Sequence, residues 1–384
     1  MRTTFYFPAP ALVAVISAAI YTGLCSAETP GKILGASSCA SSSCHGGGGA
    51  LHNQFLVWSL RDFHSSRPSA MLATARASQI GGALNIGDVT ADPRCTICHA
   101  PLLLAPQSLR GSLFQPGEGV SCESCHGPAE HWIRSHTRPD FTEADRVAAG
   151  MRDLENLYIR ANVCVACHQN VSSDLINAGH PVLMFEMDGQ CAAEPRHWTS
   201  EKNGNGAQAW LVGQAAALRE MSWQWSNGGT PSDHESNRWT ALVWLLKTAQ
   251  PETDFKILAD GNGADLGKKA RSLQDQADEL ARHVAAQQWT PDATRRLLQR
   301  LAASSPDFRN SNTSTLQQAD RAGRLVLALD RLVGSLPELK TRQPLQSALD
   351  QMFAEAQSIP DFNPVQFSTT LDQFRAALPW QNSP

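Results

Sequence analysis

The feature that most constrains this chain is its cysteines, which mostly occur as close pairs with a histidine directly after each pair. The sequence has ten cysteines. Eight of them form four such motifs, at Cys39/Cys44/His45, Cys95/Cys98/His99, Cys122/Cys125/His126 and Cys164/Cys167/His168. Two thiols separated by two residues can reach the two vinyl groups of one haem, and the next residue then places its imidazole at the iron. The pattern predicts four covalent c-type haems (heme c).

The last three motifs all read C-x-x-C-H, at 95–99, 122–126 and 164–168. Two C-x-x-C pairs can also close a tetrahedral zinc site, which is the main alternative for cysteines spaced in this way. Zinc does not require a histidine immediately after each pair. The repeated pentapeptide therefore favours haem, with each histidine as an iron ligand.

The first motif departs from this spacing, because CASSSCH at 39–45 has four residues between its cysteines. Its loop must bulge if both sulfur atoms are to reach one haem. A disulfide between Cys39 and Cys44, with His45 uninvolved, is the alternative. The glycines at 46–49 permit a close approach of the backbone, as does the C-H-G of the third motif, and we favour haem here as well.

An iron in a c-type haem also has a second axial position, which a protein ligand fills or leaves open. Residues 36–200 hold six histidines outside the motifs, namely His52, His64, His131, His136, His180 and His197. We predict His64, His136, His180 and His197 as ligands. Met184 and Met187 are alternative ligands, but their spacing around Phe185 favours core packing.

Three tryptophans, Trp58, Trp132 and Trp198, lie beside candidate ligands in the sequence and are predicted to pack on porphyrin edges. Cys191 stands outside the motifs and is predicted to be a free or buried thiol. His234 and His283 lie beyond the motif region, and we assign both to the surface.

Composition divides the chain into three predicted parts. Residues 1–27 have a basic start at Arg2, an apolar stretch and a small-residue cleavage site, which is typical of an export signal; a retained membrane anchor is the alternative. Residues 28–204 are predicted to be a tetrahaem domain with short helices around the porphyrins. Residues 205–384 contain no cysteine and are predicted to form a separate, haem-free helical domain.

Helical periodicity is clear in that last part. The expected helices cover 210–225, 266–289, 291–301, 316–336, 344–358 and 369–378, and Thr290 with Pro291 is the predicted start of the third of them. The overall prediction is a mostly α chain without a spanning segment after signal removal.

The formal net charge of the sequence is -4. Each haem would add about two propionates, which makes the holoprotein acidic. An acidic surface repels the phosphates of nucleic acid, so the charge argues against a nucleic-acid partner. An exported location, in bacteria the periplasm, follows from the signal.

Four further segments occur in order along the part of the chain that holds the motifs: W-S-L-R-D-F-H at 58–64, G-V-S-C-E-S-C-H-G-P at 119–128, A-G-H-P at 178–181 and P-R-H-W at 195–198. Together they resemble the cytochrome c-554 family of periplasmic multihaem cytochromes. The resemblance spans residues 36–200 and implies a mostly helical fold with stacked haem pairs. It also implies second ligands at His64, His136 and His180, with one iron that can remain five-coordinate. The namesake of the family accepts electrons from hydroxylamine oxidoreductase.

These observations leave three classes of function. An electron carrier between redox partner proteins is favoured, because it needs closely spaced haems and no catalytic residues. An enzyme acting on nitric oxide, nitrite or hydroxylamine requires a five-coordinate iron, and no general acid constellation stands out near the motifs. A structural subunit that docks through its helical half is the third.

Overall fold

The structure is a computed structural model that describes residues 30–198, 206–227, 232–249, 266–309, 312–359 and 361–380. The predicted export signal lies outside these residues. Helices dominate the described chain, which contains no strand and a single bridge between Ile33 and Arg110. The predicted mostly α fold is confirmed.

The motif-bearing part, residues 30–198, has nine short helices joined by turns and 3-10 segments. None of them exceeds the twelve residues of α7. They are α1 (Gln54–Arg61), α2 (Ser66–Met71), α3 (Ala75–Ala83), α4 (Pro93–His99), α5 (Cys122–His126), α6 (Glu143–Ala148), α7 (Leu157–His168), α8 (Ser173–Asn177) and α9 (Met187–Ala193).

Three of these helices, α4, α5 and α7, carry a C-x-x-C-H motif at their C-terminal end. Local capping fixes where two of them begin. The side chain of Asp92 accepts a hydrogen bond from the Arg94 backbone, with Pro93 in the first turn of α4. Asn156 caps α7 in the same way through two backbone N–H groups. Each capped helix therefore presents both cysteines and the histidine from one short rigid element.

The second part consists of longer helices. They are α10 (Gly206–Ser226), α11 (Asp233–Ala249), α12 (Leu266–Ala286), α13 (Pro291–Ala302), α14 (Thr315–Gly334), α15 (Gln343–Ala356) and α16 (Pro364–Ala377). The predicted cap at Thr290 is confirmed, since its hydroxyl accepts from the Ala293 backbone. Helix α16 begins five residues earlier than predicted, because Asn363 caps it and Pro364 occupies its first turn.

The hydrophobic core of these long helices extends into the motif-bearing part. Leu157, Ala161 and Val165 lie four residues apart on α7, are buried, and belong to the same apolar cluster as the side chains of α10 and α12. Phe185 and Met187 join it from the segment that follows. One face of α7 is thus core, while Cys164, Cys167 and His168 lie at its end.

Residues from Gly31 onward form one compact unit. The predicted domain boundary between residues 204 and 205 therefore stays a prediction, namely that residues 205–384 fold on their own. In the part of the chain that the structure describes, no helix is both long and apolar enough to cross a bilayer.

Candidate haem-binding site

The first motif adopts the bulge that its spacing requires. Cys39 ends a 3-10 helix that begins at Ala36, and Ser41, Ser42 and Ser43 are exposed. The chain then returns, because the His45 backbone N–H donates to the Cys39 carbonyl at 3.2 Å. A side chain at Gly46 is excluded, since a Cβ there would lie 1.9 Å from the Ala40 carbonyl oxygen. A Cβ at Gly47 would lie 2.3 Å from the Ser42 carbonyl oxygen, whereas Gly48 and Gly49 have open space around them, so the predicted close approach of the backbone holds for the first two glycines of the run.

The third motif is tied to the first by a buried glutamate between its two cysteines. The Glu123 carboxylate accepts backbone hydrogen bonds from Leu34 at 2.9 Å, Gly35 at 2.7 Å and Ala129 at 2.7 Å. The residue is 2% exposed. A buried carboxylate with three N–H donors is strongly stabilised, so Glu123 fixes the segment that leads into Cys39 against α5.

Replacing Glu123 by glutamine should lower the free energy of unfolding by about 2–4 kcal/mol, because a neutral amide with one acceptor would face three backbone donors. Chemical denaturation followed by circular dichroism measures the change. Glu130→Gln is the matched control, since Glu130 is exposed and accepts from the Lys32 backbone at 2.8 Å. Equal loss of stability in the two variants would contradict this role for Glu123.

Three motif histidines face three of the predicted second ligands. The ring centroids are 6.0 Å apart for His45 and His136, 6.5 Å for His99 and His180, and 5.9 Å for His168 and His64. In each pair a histidine of a motif meets a histidine outside the motifs, and the two partners lie far apart in sequence.

The spacing of these pairs fits a metal bound between them. Two imidazole nitrogens that bind one metal at about 2 Å each place their ring centroids about 6 Å apart. Burial lowers the pKa of His136 and of His168. Both rings are therefore neutral near pH 7, the form that binds metals.

Hydrogen bonds at Nδ1 fix the orientation of the six paired rings and leave Nε2 for a metal. The Nδ1 partners are Gln54 Oε1 for His45 at 3.0 Å, Ile133 O for His136 at 2.9 Å, Pro68 O for His99 at 2.8 Å, Pro181 O for His180 at 2.8 Å, Asp62 Oδ1 for His64 at 3.1 Å and Gln190 Nε2 for His168 at 3.3 Å. The Gln190 Oε1 atom is buried without a partner, and half a turn of the amide places it at His168 Nδ1.

The remaining motif histidine, His126 of the third motif, lies near His197. Burial, followed by the charge of His197, lowers the pKa of His126 to about 4. Neither ring makes a hydrogen bond at Nδ1. The Glu194 Oε1 atom lies 3.7 Å from His197 Nδ1. This pair is therefore less firmly oriented than the other three.

A carboxylate stands behind one of the predicted ligands. Asp62 is 3% exposed, and its Oδ1 accepts from the His64 backbone at 2.8 Å as well as from the ring. The hydrogen bond to Asp62 raises the pKa of His64. Burial raises the pKa of Glu194 to about 7, with the negative charge of Asp62 adding to the effect.

No disulfide joins any of the nine cysteines that the structure describes, Cys191 among them. Several thiols of different motifs are neighbours. Cys39 hydrogen-bonds with Cys122, and this contact is the main reason that the pKa of Cys122 is raised. Cys98 pairs with Cys167 in the same way, which raises the pKa of Cys98. The first motif is thus close to the third, and the second to the fourth.

The remaining histidines lie elsewhere. His52 is exposed and bonds to the Cys44 carbonyl at 2.9 Å, while His234 and His283 are exposed on α11 and α12, as predicted. Among the aromatic residues, Trp132 packs edge-on against His136 and Trp198 against His197. Met187 is buried in the core, whereas Met184 is 37% exposed.

Sequence reasoning missed the residues that support the ligands, chiefly Asp62, Glu123 and Gln190. The signal available for Asp62 was its position two residues before a predicted ligand. For Glu123 it was a charged residue inside a motif. Gln190 had no sequence signal, because its contact with His168 depends on how α9 packs.

The haem motifs, the mostly helical fold and the family match over residues 38–127 are those of a multihaem c-type cytochrome, a class of electron-transfer protein. Residues 38–127, which hold the first three motifs and His64, match the family model described as cytochrome c554 and c-prime. The match confirms the predicted cytochrome c-554 family over that segment. No curated protein and no solved structure matches the chain.

Proposed function

We propose that this protein carries electrons on four covalent c-type haems, each with two axial histidines. The observation that carries the proposal is the set of three facing imidazole pairs, each joining a motif histidine to one of the predicted second ligands at 5.9–6.5 Å. When bound, each haem iron takes up or releases one electron.

The proposed ligand pairs are His45 with His136, His99 with His180, His126 with His197 and His168 with His64. The eight motif cysteines bind the porphyrins covalently, and the groups at Nδ1 hold the rings in place. Ligands on both sides of each iron exclude small molecules from the metal, which suits a carrier better than an enzyme.

The proposal extends to location and partners. The predicted signal at 1–27 would export the chain, with mature protein from about residue 28, so that haem attachment and function take place in the periplasm or another exported compartment. The partners are then redox proteins that donate electrons to this chain and accept electrons from it.

The haem count is the direct test. Mature holoprotein made in a host with haem-attachment machinery should carry four covalent haems per chain, because all four motifs supply two thiols and a histidine. Mass spectrometry after extraction of loose haem gives the number. The double variant Cys39→Ser/Cys44→Ser should carry three. A count of three in the unmodified protein would return the first motif to the disulfide alternative.

One observation favours a second candidate, an enzyme acting on nitric oxide, nitrite or hydroxylamine. The rings of His126 and His197 make no hydrogen bond at Nδ1, and His197 Nδ1 has only the Glu194 carboxylate at 3.7 Å. His197 is therefore the distal histidine with the weakest support. If His197 did not bind its iron, one axial coordination position of that iron would be open. Titration of the reduced protein with nitric oxide separates the two functions: a carrier binds none, while an enzyme binds one equivalent and turns it over.

A further inference from the structure

The six firmly oriented histidines differ in what holds their Nδ1 atom. Five face a neutral partner, either a backbone carbonyl or a side-chain amide. Only His64, among these six, faces a carboxylate, that of Asp62 at 3.1 Å. The proposed partner of His64 is His168, so the haem of the fourth motif has a carboxylate hydrogen-bonded behind one of its ligands. The Glu194 carboxylate is 3.7 Å from His197 Nδ1, which is beyond hydrogen-bond distance.

A carboxylate at Nδ1 changes the donor strength of the other ring nitrogen. It attracts the Nδ1 proton, which leaves more electron density on Nε2 and makes the imidazole a stronger ligand. A stronger ligand stabilises the oxidised iron over the reduced iron and lowers the reduction potential. The effect is large where water is excluded, and Asp62 is 3% exposed.

The carboxylate is also held in place. Asp62 ends α1, where its backbone N–H donates to the Val57 and Trp58 carbonyls at 3.2 Å. Its own carbonyl accepts from the Ser65 hydroxyl at 3.0 Å. The backbone of Asp62 is thus held on both sides, and Oδ1 is bound to the His64 backbone at 2.8 Å as well as to the ring.

We propose that Asp62 is a positioning residue that makes the haem held by His64 and His168 the lowest-potential haem of the four. This inference rests on the proposed function, because it requires those two histidines to be axial ligands. In a chain of four haems, that haem is reduced last and oxidised first. An electron donor must therefore be strongly reducing to fill the protein completely.

The test is Asp62→Asn in the holoprotein, followed by a spectroelectrochemical titration resolved into four components. Asparagine keeps a neutral oxygen at Nδ1, so the ring stays oriented and the charge alone is lost. The lowest reduction potential should rise by at least about 59 mV, which is tenfold in the one-electron equilibrium constant. The haem of His126 and His197 should rise less, because the charge of Asp62 also reaches the His197 ring, and the other two haems should keep their potentials. Asp140→Asn is the matched control, because Asp140 is exposed, pairs with Arg138 and lies four residues after His136.

Two further variants keep the outcome decisive. Asp62→Glu restores the charge and should restore the low potential at least in part, which a merely structural role would not explain. His64→Ala should turn one iron high-spin and remove the lowest component from the titration. Comparison of His64→Ala with the unmodified protein identifies the haem with the lowest reduction potential, even if Asp62→Asn fails to fold.

The results separate this inference from the proposed function. If His64→Ala opens an iron whose potential is not the lowest, or if Asp62→Asn leaves all four potentials unchanged, the role of Asp62 is wrong while the ligand set stands. If His64→Ala leaves every iron low-spin, His64 is not a ligand and the proposed pairing fails with the inference.

Discussion

Replacing His180 by alanine should open one coordination position, at the iron whose other proposed ligand is His99. In the structure the two rings are 6.5 Å apart, and the Pro181 carbonyl holds His180 Nδ1 at 2.8 Å. Without the imidazole, that iron should turn high-spin and bind carbon monoxide when reduced, while the other three haems keep their low-spin spectra. Optical and electron-spin-resonance spectra measure the change as one haem in four.

His283→Ala is the control for this variant, since His283 lies exposed on α12 beyond the haem motifs. It should leave every haem signal as it was. A fully low-spin spectrum for His180→Ala would show that another group binds the iron of the second motif. The proposed pairing of His99 with His180 would then be wrong.

Replacing Val165 by aspartate should destabilise the protein by about 4 kcal/mol or more, because it places a charge in a core without a partner. Val165 is 2% exposed and packs in the cluster formed by α7 with α10 and α12. Denaturation followed at the helical signal and at the haem absorption should show both transitions moved to lower denaturant. The haem of the fourth motif depends on α7, so its spectrum should change first.

Ala166→Asp provides a matched control within the same motif, since Ala166 is exposed between Val165 and Cys167. It should cost little stability. If the two aspartates prove equally harmful, the damage comes from altering the residues between the cysteines rather than from the shared core. If only the helical signal moves, the fourth motif is independent of the long helices.

The long helices also meet α7 through polar groups on its outer side. The Tyr158 hydroxyl donates to Asp278 at 2.7 Å, and the same carboxylate accepts from Arg219 at 2.8 Å and Arg282 at 2.9 Å. The guanidinium of Arg282 lies 4.3 Å from the centre of the Tyr158 ring. Because α7 carries Cys164, Cys167 and His168, these contacts join the long helices directly to one haem motif.

The first motif shows where sequence spacing was sufficient and where it was not. Four residues between Cys39 and Cys44 require a bulge under any reading that joins the two sulfurs to one haem. The bulge nevertheless brings the ring centroid of His45 to 6.0 Å from that of His136. This position depends on the backbone contacts at Gly46 and on the hydrogen bond between Gln54 Oε1 and the ring. Spacing alone left the disulfide alternative open, because it does not specify where the following histidine points.

The sequence by itself determined the chemistry of this protein. Cysteine pairs followed by histidine specify haem attachment locally, because both sulfurs and the imidazole come from one turn of chain, and helical periodicity likewise depends on neighbours three or four residues away. The tertiary structure decided the pairing of His64 with His168 and of His99 with His180, the burial of Asp62 and the sharing of α7 between two parts. These depend on contacts between residues as much as 120 positions apart, such as Tyr158 with Asp278, and no local pattern encodes which distant side chains meet once the core has packed.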